Sequence, residues 1–121
     1  MSQTILIVDD SGYSRTLVRR VLEGAGYQVI GEAKDGADAL DKIEAHTPTL
    51  ITLDNILPDM TGLDILRTMK ENGLKAKVVM ISAVGQRSAI EEAENLGVSR
   101  YLIKPFNEEK LLEAVGEALN Q

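Results

Sequence analysis

Apolar residues fall into two alternating kinds of run along the chain. Short, nearly unbroken runs occur at Ile5 to Val8, Val29 to Ile30, Leu50 to Leu53, Val78 to Ile81 and Tyr101 to Ile103. Their Ile, Val and Leu content, with little polar alternation, is what parallel strands covered on both faces require. Between these runs the apolar positions recur at helical spacing. Ser14, Leu17, Val18, Val21, Leu22 and Ala25 share one face of a first helix. Leu40 with Ile43, then Ile65, Leu66 and Met69, then Ala89, Ile90, Ala93 and Leu96 repeat the pattern more briefly. Leu111, Leu112, Val115, Ala118 and Leu119 predict a final amphipathic helix whose stripe reads as core rather than as a binding groove. Gly26, Gly73 and Gly97 stand where helices should stop.

Strict alternation of strand and helix implies right-handed crossovers, hence an open parallel sheet with helices on both faces. The expected fold class is therefore α/β, a doubly wound (βα)5 domain. A length of 121 residues suits one domain over 1–121, with no internal repeat, low-complexity tract or linker.

Composition narrows the function. With no cysteine, a disulfide framework, a zinc ribbon and thiol catalysis are excluded, and a reducing compartment is suited. The opening MSQTILIVDD lacks a basic n-region, and its apolar run is too short for a signal peptide or membrane span. The expectation is a soluble, cytoplasmic protein with no membrane partner. A net charge of -6 and a pI near 4.8 argue against direct nucleic-acid binding, which needs a basic surface. One Phe, three Tyr and no Trp leave little material for stacking on bases. Transcriptional output would need another domain or partner.

In open α/β sheets, ligands bind beyond the carboxyl ends of the strands, where strand order reverses. The first strand run ends in Asp9 and Asp10, the third in Asp54, the fourth in Ser82, and the fifth in Lys104 followed by Pro105. Taken singly, each has an ordinary explanation. An acid pair serves a helix N-terminus, a serine caps a helix, a lysine is solvated, and a proline ends a strand. Together, each at the end of its own strand, they are hard to assemble by chance.

The segments ILIVDD, LDNILPDMTG, VVMISA and YLIKPF, spread over essentially the whole chain, resemble the receiver domains of response regulators in two-component signalling. The resemblance implies a flavodoxin-like, CheY-like three-layer sandwich with strand order 2-1-3-4-5, an order for which CheY, a family member, is the standard example. Strands one and three are then neighbours about 4.8 Å apart, so their terminal carboxylates converge. Two unit charges ~4 Å apart repel by about 4 kcal/mol at an effective dielectric near 20. A cation is the simplest remedy, and hard carboxylate oxygens without His or Cys suit Mg²⁺, with Mn²⁺ as a substitute.

The resemblance also implies roles. Asp54 is the phosphoacceptor. Asp10 and Asp54 hold the metal directly, Asp9 supports it largely through water, and the Ile56 main-chain carbonyl completes the protein ligands. Ser82, Lys104 and main-chain N–H groups after Asp54 neutralise the phosphoryl group, while Asn55, Ile56, Ala83, Val84 and Pro105 flank it. A cis Lys104–Pro105 bond is implied. Ser82 and Tyr101 form a switch, against the plainer reading that Tyr101 covers the sheet edge with its hydroxyl in water. The implied partners are a sensor histidine kinase or histidine phosphotransfer protein, and a downstream protein on the helix 4, strand 5 and helix 5 face. SAVGQ after strand four resembles the chemotaxis group, which points to a stand-alone messenger; a phosphorelay shuttle or a domain of a larger regulator stays open. Apolar Ile56 and Val84, where many relatives carry polar residues, lead to an expectation of slow phosphoryl loss.

His46, the single histidine, reads as a helix C-terminal cation outside the site. Glu91, Glu92 and Glu94 read as an exposed helical face. A flavin binder would present its anionic phosphate to Asp9 and Asp10 and be repelled. No G-x-G-x-x-G or G-x-x-x-x-G-K-[ST] loop supports a dinucleotide or P-loop protein. A haloacid-dehalogenase-type phosphatase needs an acid two residues after its nucleophile, where this chain has Ile56. A degenerate scaffold receiver would lack an acid, the hydroxyl or the lysine, all of which are present.

Overall fold

Ten elements alternate along residues 3–121, which this computed structural model describes; the first two residues of the expected 1–121 unit lie outside them. They are β1 (Thr4–Val8), α1 (Gly12–Gly24), β2 (Gln28–Ala33), α2 (Gly36–His46), β3 (Leu50–Asp54), α3 (Gly62–Glu71), β4 (Lys77–Ser82), α4 (Arg87–Asn95), β5 (Arg100–Ile103) and α5 (Glu108–Leu119). All strand pairs are parallel, in the order β2-β1-β3-β4-β5. This is the expected doubly wound sandwich.

Alternation along the strands divides the core into two layers, because successive side chains leave a strand on opposite faces. Leu6, Val8, Ile51, Leu53, Val78 and Met80 pack with Ala39 and Ile43 of α2, Ile65, Leu66 and Met69 of α3, and Ala93 of α4. Ile5, Ile7, Leu50, Val79 and Ile81 pack with Val18 and Leu22 of α1, and Leu111, Ala114, Val115 and Ala118 of α5. The near-continuous apolar runs follow from this double burial.

Helix ends follow local chemistry. Ser11, Asp35, Thr61 and Asn107 each cap a helix by accepting a main-chain N–H with the side chain, and Thr61 with Asp64 completes a capping box. Gly26 and Gly97 follow α1 and α4 at φ 93° and 98°, a region that favours residues without a Cβ.

The sequence pattern falls short in two places. β2 runs to Ala33 rather than stopping at Ile30. It is an edge strand, so Gly31 and Glu32 can join the ladder without being apolar, and the register slips by one residue between Ile5 and Leu6, leaving Ile30 as the extra residue. Leu17, placed by periodicity on the core face of α1, is 40 % exposed. It overhangs a groove of ≈ 610 Å³ between α1 and the start of α5, shared with Val18, Pro105 and Phe106.

Candidate functional site

β1 and β3 end side by side, with Val8 paired to Leu53, so the residues that follow meet at the carboxyl edge. Asp9, Asp10 and Asp54 each offer a carboxylate oxygen, all within 4.8 Å of one another. Asp9 and Asp54 are buried, while Asp10 faces solvent. Asp9 is held closely: its N–H donates to the Ala33 carbonyl at 3.0 Å, and its Oδ1 accepts the Ser11 N–H at 2.9 Å.

Asp54 continues the face of Leu50 and Thr52, toward α1 and α5. Lys104 comes off the end of β5, after Leu102 on that same face, and its Nζ lies 3.4 Å from Asp54 Oδ1. The Lys104–Pro105 bond is cis, as the resemblance implies. Burial pushes the Asp54 carboxyl above its ordinary range; Lys104 pulls it down, Asp9 pushes it up, and the Ile56 N–H pulls it down. Burial, with some help from the neighbouring Asp9 charge, therefore outweighs the single lysine, and a further positive charge would be stabilised there.

The loop after β3 supplies main-chain groups. Asn55 N–H donates to the Ile81 carbonyl at 3.0 Å, so of the two N–H groups after Asp54 only that of Ile56 turns to the carboxylate. Ile56 and Thr61 form an antiparallel bridge in which the Leu57 N–H donates to Met60 and the Gly62 N–H to Asn55. Ile56's own N–H and C=O consequently point away from that bridge, to the side of Asp54. No Cys or His belongs to this group of donors. Three carboxylates and a carbonyl free of main-chain partners among the described residues fit a hard, oxygen-seeking divalent cation. Ile56, exposed, stands where a dehalogenase-type phosphatase needs a second acid.

Ser82 and Tyr101 lie on the opposite face, toward α4. Ser82 Oγ accepts the Val84 N–H at 3.0 Å, and the Tyr101 hydroxyl donates to the Val84 carbonyl at 2.5 Å. The Tyr101 hydroxyl, at the surface, is thus held by the main chain, and both residues meet at Val84, one on each of its flanking peptides. Ala83 and Val84 are exposed beside Ser82, and Pro105 is exposed after Lys104. His46 ends α2, exposed and outside the acid group, and Glu91, Glu92 and Glu94 are exposed on α4, Glu92 pairing with Arg67 at 3.2 Å.

Four residues near the site escaped sequence reasoning. Arg15 Nη1–H donates to the Asp9 carbonyl at 2.7 Å and its Nε–H to Glu32 Oε1 at 3.0 Å. Asp59 accepts the Gly36 and Ala37 N–H groups at 2.7 and 3.0 Å, and Met60 covers Gly36, so the loop after β3 is docked on the α2 N-terminus. An acid placed before a Met-x-Gly turn is a weak signal for such docking; nothing local signals the pairing of Arg15 with Glu32.

An acid triad at the edge of a 2-1-3-4-5 sheet, with a lysine and a hydroxyl from the next two strands, defines a receiver. Residues 5–116 match the Response regulator receiver domain family, and the chain belongs to it. It is 37 % identical to the chemotaxis protein CheY of Bacillus subtilis over 120 residues, which is 99 % of this chain and 100 % of that protein. Among solved structures, the CheX-CheY-BeF3-Mg+2 complex from Borrelia burgdorferi aligns with a TM-score of 0.89 at 30 % identity, covering 93 % of this chain and 86 % of that one. The signal receiver domain of a putative Luxo repressor protein from Vibrio parahaemolyticus aligns at 0.93 with 29 % identity, covering 99 % and 92 %. The chain is thus a signalling receiver closely related to chemotaxis response regulators, with an acid cluster of the kind that binds Mg²⁺ in receivers.

Proposed function

We propose that the whole chain works as one cytoplasmic, chemotaxis-type receiver unit that accepts a phosphoryl group on Asp54 and changes the face it presents to a protein target. The carrying observation is the convergence of three carboxylates within 4.8 Å, with Lys104 Nζ 3.4 Å from Asp54 Oδ1. Asp10, Asp54 and the Ile56 carbonyl would hold Mg²⁺ or Mn²⁺, with Asp9 assisting. When bound, the cation neutralises the crowded carboxylates and the incoming phosphoryl oxygens.

The transfer itself asks mainly for positioning and charge neutralisation. An Asp54 oxygen forms a bond to phosphorus as the bond to the donor breaks. The donor is a phosphohistidine of a sensor kinase or histidine phosphotransfer protein, whose imidazole leaves with the electron pair and takes up a proton. Asp54 acts as the carboxylate nucleophile and becomes an acyl phosphate. Lys104 and the Ile56 N–H, both turned to Asp54, balance the added charge, with the Ser82 hydroxyl joining once it leaves the Val84 N–H. That exchange releases the Val84 N–H, while Tyr101 holds the carbonyl of the same residue, so the surface of α4, β5 and α5 shifts between two populations. Exposed Ile56 and Val84 flank the phosphoryl group with apolar surface that cannot orient a hydrolytic water, favouring a long-lived phosphorylated state.

With acetyl phosphate and Mg²⁺, intact mass spectrometry should register one added phosphoryl group on the parent and none on Asp54→Asn. A hydroxylamine-labile phosphoryl group on Asp54→Asn would overturn the acceptor assignment.

A further inference from the structure

The acid pair is braced by a residue that reaches none of the three carboxylates. Arg15, on the second turn of α1, has a side chain only 20 % exposed and bridges the Asp9 carbonyl and the Glu32 carboxylate. Glu32 is gripped from its other oxygen by Arg19 at 2.9 Å, and Lys42 Nζ donates to the Glu32 main-chain carbonyl. The Asp9 N–H and Oδ1 are already committed to Ala33 and Ser11, so Arg15 takes up the remaining main-chain polar group and leaves Oδ2 to the site. The carbonyl it holds belongs to the planar peptide that carries Asp10. Pinning that plane fixes the Asp10 Cα, leaving its φ and its side-chain torsions to place the exposed carboxylate.

We infer that Arg15 is a positioning residue for the cation site: by clamping the Asp9–Asp10 peptide against Glu32, it presets both carboxylates for a divalent cation. This rests on the reading of the acid cluster as the Mg²⁺ site. A guanidinium beside a cation site opposes cation binding by charge alone, so deleting it should raise Mg²⁺ affinity. Because Glu32 compensates Arg15, the repulsive part is small, and loss of the clamp dominates. Arg19 provides the control, since it shares Glu32 but makes no bond to the Asp9 carbonyl.

The test is calorimetric titration of the whole chain with MgCl2, using the parent, Arg15→Met, Arg15→Lys, Arg19→Met and Asp10→Asn. Losing a partner that orients a ligand typically weakens metal binding 10- to 100-fold; we expect about tenfold for Arg15→Met and less than about twofold for Arg19→Met. Arg15→Lys should fall between, because a lysine lacks the fork that serves two partners. In metal-free protein, amide exchange at Ser11, whose N–H holds Asp9, should quicken in Arg15→Met and not in Arg19→Met. Parental or tighter Mg²⁺ binding by Arg15→Met, or an equal loss in Arg19→Met, would overturn the inference. If Arg15→Met does not fold, parental affinity in Arg15→Lys overturns it instead. Binding by the parent and its loss in Asp10→Asn report on the metal-site reading separately; a parent that binds no Mg²⁺ removes both.

Discussion

Around β1 and β3 the chain entering the site is fastened on every side, whereas after β4 it hangs from one residue, Val84. Asp9 makes three hydrogen bonds through its N–H, carboxylate and carbonyl. The loop after β3 closes on itself between Asn55 and Gly62 and docks on α2 through Asp59. By contrast, Ala83 to Gln86 are all exposed, the α4 N-cap Gln86 makes no side-chain capping bond, and Ala93 is the one buried residue of α4. Among the described residues, the hydrogen bonds that tie that connection down come from Ser82 and Tyr101, meeting at Val84. Chemistry that depends on carboxylate placement occupies the half where geometry is preset. The half with few buried contacts and weak ends can change conformation for little free energy.

The largest effect expected from breaking this contrast is at Gly36. A Cβ there would lie 2.3 Å from Met60 Cγ and 2.4 Å from its Sδ, so Gly36→Val must displace the Met60 side chain that covers the docked loop. Overpacking of this kind costs roughly 1–3 kcal/mol, measurable by urea unfolding. A neutral result would mean that Met60 swings aside while Asp59 alone keeps the loop docked.

Next is the Glu32 brace. Its carboxyl is held below the ordinary range, first by the Arg19 hydrogen bond and then by Arg15, with burial opposing. A depressed folded-state value means that this stability is complete above the ordinary carboxyl value near 4.5 and drains away as pH falls below it. The pairs are partly exposed, so the amount is on the order of 1 kcal/mol or less and shrinks with salt. Glu32→Gln should flatten that part of the acid limb in a melting series; an unchanged limb would put the brace in doubt.

On the loose side the expected sign reverses. Gln86→Asp would supply the missing cap and add about 0.5–1 kcal/mol to thermal stability. It should also slow amide exchange in α4. If stability does not rise, α4 is already held by something other than its N-terminus. The smallest effect is expected from Tyr101→Phe, which removes one partly exposed bond to Val84 and costs roughly 0.5 kcal/mol. Its clearer sign should be faster exchange at residues 83–86, with the β1 and β3 ends unchanged.

The sequence by itself determined the order of strands and helices, the double burial of the strands, the helix stops and the acids at the strand ends. Those properties repeat locally: a period of two or 3.6 residues and a terminal polar residue are visible within a short window. Strand order was legible only through the family resemblance, because periodicity says which face is buried and not which strand is adjacent. Only the tertiary structure decided the rest. Arg15 and Glu32 are 17 residues apart, Asp59 and Gly36 are 23 apart, and Tyr101 and Val84 are 17 apart. Whether such pairs meet depends on the register slip in β2 and on which strand neighbours β1. Thr52 marks the same limit: it reads as an ordinary strand residue, yet its hydroxyl is buried between β1 and β4 without a partner, a consequence of β3 lying at the centre of the sheet. Long-range contacts carry no local period, and the positioning of this site is built from them.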